Sequence, residues 1–266
     1  MALYFRIMAE TLVMIHGMAV GAWYWENFKE FFEKKGYDCI TPTLRFHDVD
    51  PSAAPHPQLG TTSLLDYAQD LEKQISKLGA MPILMGHSMG GLLAQILGSR
   101  GLAKALVLLA PAPPYGISAL KPSVIKSFRS ALTSWGFWRK PFRQTFNEAV
   151  YSTLNVMPAE SQKEVFNRFV YESGRAASEI GFWLMDYKQA AKVDASKVSC
   201  PVLVVGGAQD RMTPVSVSRK IAEKYGIFAT YEEFTGHSHW LIGEPGWQDV
   251  AQYVADWLSQ AERQIT

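Results

Sequence analysis

The apolar run Pro82 to Met85 passes without a break into Gly86-His87-Ser88-Met89-Gly90-Gly91 and then into the helical stretch LLAQILGSR. A short apolar run reads as a buried strand, and LLAQILGSR has helical character, so the chain must turn sharply from strand to helix at Ser88. Bulky side chains do not fit around such a turn, and Gly86, Gly90 and Gly91 remove them. A strand that feeds directly into a helix is the repeating unit of a parallel sheet covered on both faces.

The same alternation recurs along the chain. Thr11 to Ile15 is a strand that ends in His16-Gly17, and Trp23 to Lys35 is an amphipathic helix stopped by Gly36. Tyr37 to Ile40 is the next strand, with Pro42 as its terminator. Gly60 to Leu78 holds a loop and then a helix, with Leu64, Leu65, Ala68, Leu71 and Ile75 on its apolar side. Ala105 to Leu109, Cys200 to Val205 and Phe228 to Phe234 read as further strands, and Ser216 to Tyr225 and Trp247 to Gln260 as helices. Leu3 to Met8 has the composition for one more strand. The expected fold class is α/β, three-layered, with a mostly parallel sheet of about seven strands.

Residues 112–198 break this rhythm. They show helical periodicity in pieces (VIKSFRSAL, FRQTFNEAVY, QKEVFNRFVYESGR, EIGFWLMDYKQAA) and no convincing strand. The expectation is a core domain made of residues 1–111 and 199–266, with 112–198 as a helical cap folded over the carboxyl ends of the strands. The cap carries 12 Lys and Arg against 7 Asp and Glu, and 14 of the 33 aromatic residues, so its basic, aromatic character differs from the core. Aromatic side chains turned inward would roof a pocket, with Phe128, Trp135, Phe137, Trp138, Phe182 and Trp183 as candidate walls.

A hydrophobic content of 48% with 19% charged residues excludes a disordered chain. The net charge of +1 leaves no general electrostatic footprint for nucleic acid. Only Cys39 and Cys200 occur, so neither a disulfide framework nor a structural zinc site is expected. Arg6 and Glu10 interrupt the amino-terminal apolar run, and no stretch approaches membrane-spanning length. A cytoplasmic protein without membrane contact is the expectation, and a monomer or a homodimer fits equally.

Gly86-His87-Ser88-Met89-Gly90 matches G-x-S-x-G in the strand-turn-helix setting of a nucleophile elbow. A serine hydroxyl is a poor nucleophile without a base. Among the histidines, His16 follows an early strand, His87 lies inside the turn, and His47 and His56 lie in a Pro-rich loop. His237 and His239, in TGHSHW, follow the last strand; His239 is the expected base, with His237 as the substitute. Asp210, in GGAQDRMTP, follows another strand and can accept the Nδ1–H of the histidine, whereas APAPP after Leu109 offers no acid. The order Ser88, Asp210, His239 differs from those of chymotrypsin and subtilisin. The expected oxyanion donors are the backbone amides of Met89, directly after the serine, and of Met18, after His16-Gly17.

On IHGMAVGAWYW, ILMGHSMGGLLAQ, VLVVGGAQDRMTP and FTGHSHWLIGEP, in that order, the chain resembles the α/β-hydrolase fold superfamily over essentially its whole length. The resemblance implies the same roles for Met18, Ser88, Asp210 and His239, and makes 112–198 similar to that family's helical cap. HGMAVGAWYW resembles the plant methylesterase and hydroxynitrile lyase branch, although Trp240 stands where the lyases carry a lysine. GHSMGG is also similar to the cofactor-free haloperoxidase and perhydrolase group. Haloalkane dehalogenases and most epoxide hydrolases of this fold use an aspartate at the elbow, and Ser88 argues against both.

The expected activity is hydrolysis of an ester or lactone of a small to medium apolar compound, with no cofactor and no metal. Trp135, Trp138, Trp183 and Trp240 are candidate pocket residues. Carbon–carbon bond hydrolysis, lyase or perhydrolase chemistry on the same fold is the first alternative, and a small-molecule binding protein with a vestigial triad is the second.

Overall fold

The computed structural model describes residues 9–118 and 120–265. Its strands are β1 (Thr11–Ile15), β2 (Asp38–Ile40), β3 (Ile83–His87), β4 (Ala105–Leu109), β5 (Pro141–Phe142), β6 (Glu172–Ser173), β7 (Val202–Gly207) and β8 (Ala229–Phe234). Its α-helices are α1 (Glu26–Lys34), α2 (Leu64–Ile75), α3 (Met89–Gly98), α4 (Pro122–Ser127), α5 (Arg129–Thr133), α6 (Phe146–Ser152), α7 (Ala159–Asn167), α8 (Gly174–Gly181), α9 (Val215–Tyr225) and α10 (Trp247–Ile265).

Six strands form one sheet in the order β2-β1-β3-β4-β7-β8, every neighbouring pair parallel. Leu3 to Met8, the expected extra strand, lies outside the described residues. Alternation along the strands divides the core in two. Val13, Ile15, Leu84, Leu106, Leu108, Val202 and Val204 face α2, α3 and α9. Leu12, Met14, Met85, Val107, Leu109, Leu203 and Val205 face α1 and α10. Each such side chain contributes roughly 1.5–3 kcal/mol by leaving water, which is why both faces of these strands are apolar.

β1 pairs with β2 on one side and β3 on the other, so the connections after β1 and β3 leave the sheet in divergent directions at their carboxyl ends. A crevice opens at such a switch point. The loop at residues 16–19 and the turn at Ser88 border it.

The segment between β4 and β7 is a helical cap insertion that departs from the helical expectation in places. β5 and β6 pair antiparallel, Pro141 opposite Ser173 and Phe142 opposite Glu172. The helical reading of QKEVFNRFVYESGR therefore stops at Asn167, because Phe169 and Val170 are buried and Glu172 is drawn fully into the core. EIGFWLMDYKQAA is likewise α-helical only to Gly181, and Asp186 then turns the chain by accepting the amides of Lys188 and Ala190.

Polar fastenings seat the cap on the core. Ser63 caps α2 in a reciprocal arrangement with Asp66, and Glu179 of α8 also accepts the Leu64 amide at 2.8 Å. Ser173 Oγ donates to the Thr62 carbonyl at 2.6 Å. A Cβ at Gly60 would lie 2.6 Å from the Lys140 carbonyl carbon, so the cap backbone rests directly on this glycine.

Candidate active site

β3 ends at His87 and α3 begins at Met89, leaving Ser88 as the turning residue. Its φ of 53° and ψ of −120° are costly for a residue with a Cβ, on the order of 1–3 kcal/mol. Three backbone hydrogen bonds hold it there. The Ser88 amide donates to the Leu109 carbonyl at 3.0 Å, and its carbonyl accepts from Ala112 at 2.8 Å and Leu92 at 3.2 Å. A Cβ at Gly90 would lie 2.0 Å from the Ile15 carbonyl oxygen, and one at Gly86 2.2 Å from that of Gly90. Any side chain at either position would drive α3 off the sheet.

His239 follows β8, and Asp210 follows β7, the neighbouring strand. Their loops meet: His239 Nδ1–H donates to Asp210 Oδ2 at 2.8 Å, and both side chains are buried. Asp210 also accepts the amides of Met212 and Thr213 and the Thr213 hydroxyl, at 2.7, 2.8 and 2.8 Å. Burial opposes charge on this carboxyl, but His239 and these donors outweigh it and hold the group below its ordinary range. The acid is thus ionised and oriented, and the remaining ring nitrogen of His239 is left for other work. Ser88 and His239 line the same narrow cleft, together with Gly17, Met18, His87 and Gln144.

His237 lies elsewhere. Its Nδ1 bonds Glu244 Oε1 at 3.0 Å, and Glu244 accepts the Ser238 amide and hydroxyl as well. This buried carboxylate braces the segment leading into His239.

Gly17 sits against the serine, since a Cβ on it would meet Ser88 Cβ at 3.0 Å. Met18 borders both the cleft and the larger cavity above it. Met89 is the first residue of α3, where amides have no acceptor within the helix and favour developing negative charge. His16 Nδ1–H donates to the Gly17 carbonyl at 2.8 Å and its Nε2 accepts the Leu44 amide at 3.0 Å, which requires a neutral ring. Burial and the neighbouring His47 accordingly lower its pKa to about 3.

The cavity above Ser88 is lined chiefly by apolar side chains, among them Val124, Phe128, Leu132, Phe137, Ile180 and Phe182, with Ser88 and Thr213 at its polar floor. Phe128, Phe137 and Phe182 thus take the wall positions expected of cap aromatics. None of the four candidate tryptophans is among the lining residues. Trp135 is 86% exposed at the surface, and Trp138 borders an outer groove with Arg175 and Glu179. Trp183 packs on Tyr115, and Trp240 stacks on Tyr24 behind His87, their centroids 5.1 Å apart. A cap built of short pieces turns its aromatics in several directions, which a single helical periodicity does not convey.

Sequence reasoning missed His47, Glu172, Thr213 and Glu244. Thr213, three residues after Asp210, had a local signal because a short hydroxyl side chain there can reach back to the acid. The other three meet their partners only through tertiary packing. Among the described residues no cluster of three or more His, Cys, Asp or Glu side chains could hold a metal ion, and no helix is long and apolar enough to cross a membrane.

The family model described as alpha/beta hydrolase fold matches residues 10–245. The curated protein ABHD8 of Bos taurus is 25% identical over 227 residues, covering 80% of this chain and 48% of that protein. The chain thus spans about half the length of the ABHD8 proteins it matches. The structure of methylesterase MES16 from Arabidopsis is similar with a TM-score of 0.70 at 14% identity, covering 94% of this chain and 99% of that one. That of the Paleococcus ferrophilus monoacylglycerol lipase has a TM-score of 0.69 at 22% identity, covering 94% of each. Since the family match runs from the residue before β1 to beyond β8, the chain belongs to the α/β-hydrolase fold family.

Proposed function

We propose that the protein is a serine hydrolase that cleaves carboxylic esters, lactones included, of small to medium apolar acyl groups. The observation that carries this reading is the 2.8 Å bond from His239 to the ionised Asp210, with His239 and the strained Ser88 facing one cleft. In the first step His239 takes the Ser88 proton as Oγ attacks the carbonyl carbon, and Asp210 stabilises the imidazolium. The amides of Met18 and Met89 receive the developing oxyanion. His239 then protonates the leaving alkoxide, and water attacks the acyl-enzyme with the roles reversed.

The apolar cavity supports an acyl substituent without charge. Ester-class names among the similar proteins, a methylesterase and a monoacylglycerol lipase, are in keeping with this. Carbon–carbon hydrolysis would call for polar groups facing a carbanion, and the apolar walls weigh against it. A purely binding role leaves the strained backbone at Ser88 without a purpose.

The test is turnover of p-nitrophenyl esters of increasing acyl length. The expected result is kcat/KM rising from acetate to medium chains and lost in Ser88→Ala. A folded protein that hydrolyses none of the series, or a Ser88→Ala variant that retains turnover, would overturn the proposal.

A further inference from the structure

Ala19 directly follows Met18 and has a φ of 59°, a region that residues with a Cβ seldom occupy. Both of its backbone polar groups are tied to the cap. Its N–H donates to Glu172 Oε2 at 3.1 Å, and its carbonyl accepts the Val170 amide at 2.9 Å. On the other side of Met18, Gly17 is fixed by His16 and by its contact with Ser88. The candidate oxyanion amide therefore lies between one anchor supplied by the core and one supplied by the cap.

Glu172 is fully buried, and its carboxylate gathers donors from four places in the chain. Besides Ala19, Oε2 accepts from His47 Nε2 at 3.0 Å, while Oε1 accepts the Tyr67 hydroxyl at 2.9 Å and the Ser173 amide at 2.6 Å. The other His47 nitrogen donates to the Arg45 carbonyl at 2.9 Å, so both ring nitrogens face acceptors and the ring is an imidazolium. Burial opposes both charges, but their mutual attraction outweighs it, holding the carboxyl low and the imidazole high. Fastening alone does not explain this pair. A buried ion pair is seldom better than apolar packing for stability, and the cap is already held through Ser173 and Glu179. What the carboxylate adds is a charged acceptor on the amide next to Met18.

We propose that Glu172 is a positioning residue through which the cap sets the orientation of the Met18 amide. The inference rests on the reading of that amide as an oxyanion donor. It makes transition-state stabilisation depend on a cap residue that does not border the cleft.

The test compares Glu172→Gln with the wild-type protein in three readouts: kcat and KM for a medium-chain p-nitrophenyl ester, inhibition by an alkyl trifluoromethyl ketone, and inhibition by the alkanol of equal chain length. On the ketone, Ser88 Oγ adds to the carbonyl carbon, its proton passes to His239, and the carbonyl electron pair becomes an oxyanion. The alkanol only fills the apolar cavity. The expected result is a loss of about tenfold to a hundredfold in kcat and in ketone affinity, with KM and alkanol affinity within about twofold. Unchanged ketone inhibition and kcat would overturn the inference, as would an equal loss of ketone and alkanol affinity, which marks simple cap fastening. A wild-type protein that the ketone fails to inhibit would overturn the functional reading together with the inference. Should Glu172→Gln not fold, Tyr67→Phe removes one donor from the same carboxylate. It is expected to weaken the ketone selectively by about threefold, and wild-type behaviour would overturn the inference.

Discussion

The Nε2–H of His87 donates to the backbone carbonyl of His239 at 2.7 Å, so the residue just before the candidate nucleophile holds the backbone of the candidate base. Burial and the nearby His239 push the His87 pKa down to about 3, so the ring is neutral and keeps this tautomer at all ordinary pH. Its Nδ1 is buried and has no hydrogen-bond partner among the described residues, so the bond to His239 is the side-chain hydrogen bond that those residues show for it. His87→Phe keeps an aromatic ring and removes that bond. It is expected to lower kcat roughly tenfold to a hundredfold by displacing His239 and to cost about 1–3 kcal/mol of stability. Steady-state kinetics and thermal melts check this, and wild-type kinetics would contradict it.

The strain at Ser88 makes a different prediction. Glycine adopts positive φ without the Cβ penalty, so Ser88→Gly should raise the melting temperature while removing turnover, with a net gain of about 1 kcal/mol once the extra backbone freedom of glycine in the unfolded chain is subtracted. Ser88→Ala keeps the penalty and should melt close to the wild-type temperature. Calorimetry of the two variants side by side measures the difference.

Asp210→Asn should depress kcat by about 10⁴-fold through loss of the charge and tautomer control on His239. It should also alter acid stability. Because the folded carboxyl lies below its ordinary value of 3.8, its contribution is complete above that value and is lost as pH falls through the folded one. The wild-type protein should therefore lose more stability than the variant on acidification from about pH 6 to about pH 3, as followed by melting curves.

The centre of the main sheet was legible because β1, β3, β4 and β7 are buried on both faces and read as apolar runs, whereas the edge strands β2 and β8 are only partly buried; β1 and β4 have the bounds that the sequence suggests. The candidate triad was legible for a related reason. Each member follows a strand at the same end of a parallel sheet, so chain order and strand order together bring Ser88, Asp210 and His239 into proximity. The cap was less legible. Two-residue strands such as β5 and β6 are too short to show alternation, and Glu172 resembles any helix-surface acid until His47, Tyr67 and Ala19 surround it. Leu65, placed on the apolar side of α2, is only half-buried, whereas Tyr67 is fully buried because its hydroxyl finds that carboxylate.

The cavity walls give a substrate-length prediction. Phe182→Ala removes an aromatic wall and should lower kcat/KM for medium-chain esters about tenfold, with a smaller effect on acetate. Trp135→Ala, at a position 86% exposed, should leave both within about twofold and change stability by no more than about 0.5 kcal/mol. Kinetics across the acyl series separates the two positions.

Whether Ser88 is a nucleophile activated by His239 is decided by intact mass after treatment with a small fluorophosphonate, followed by peptide mapping. The expected result is one adduct per chain, on Ser88, formed at the wild-type rate in His237→Ala and much more slowly in His239→Ala. A folded protein that stays unlabelled, or an adduct mapped to another residue, would contradict that role.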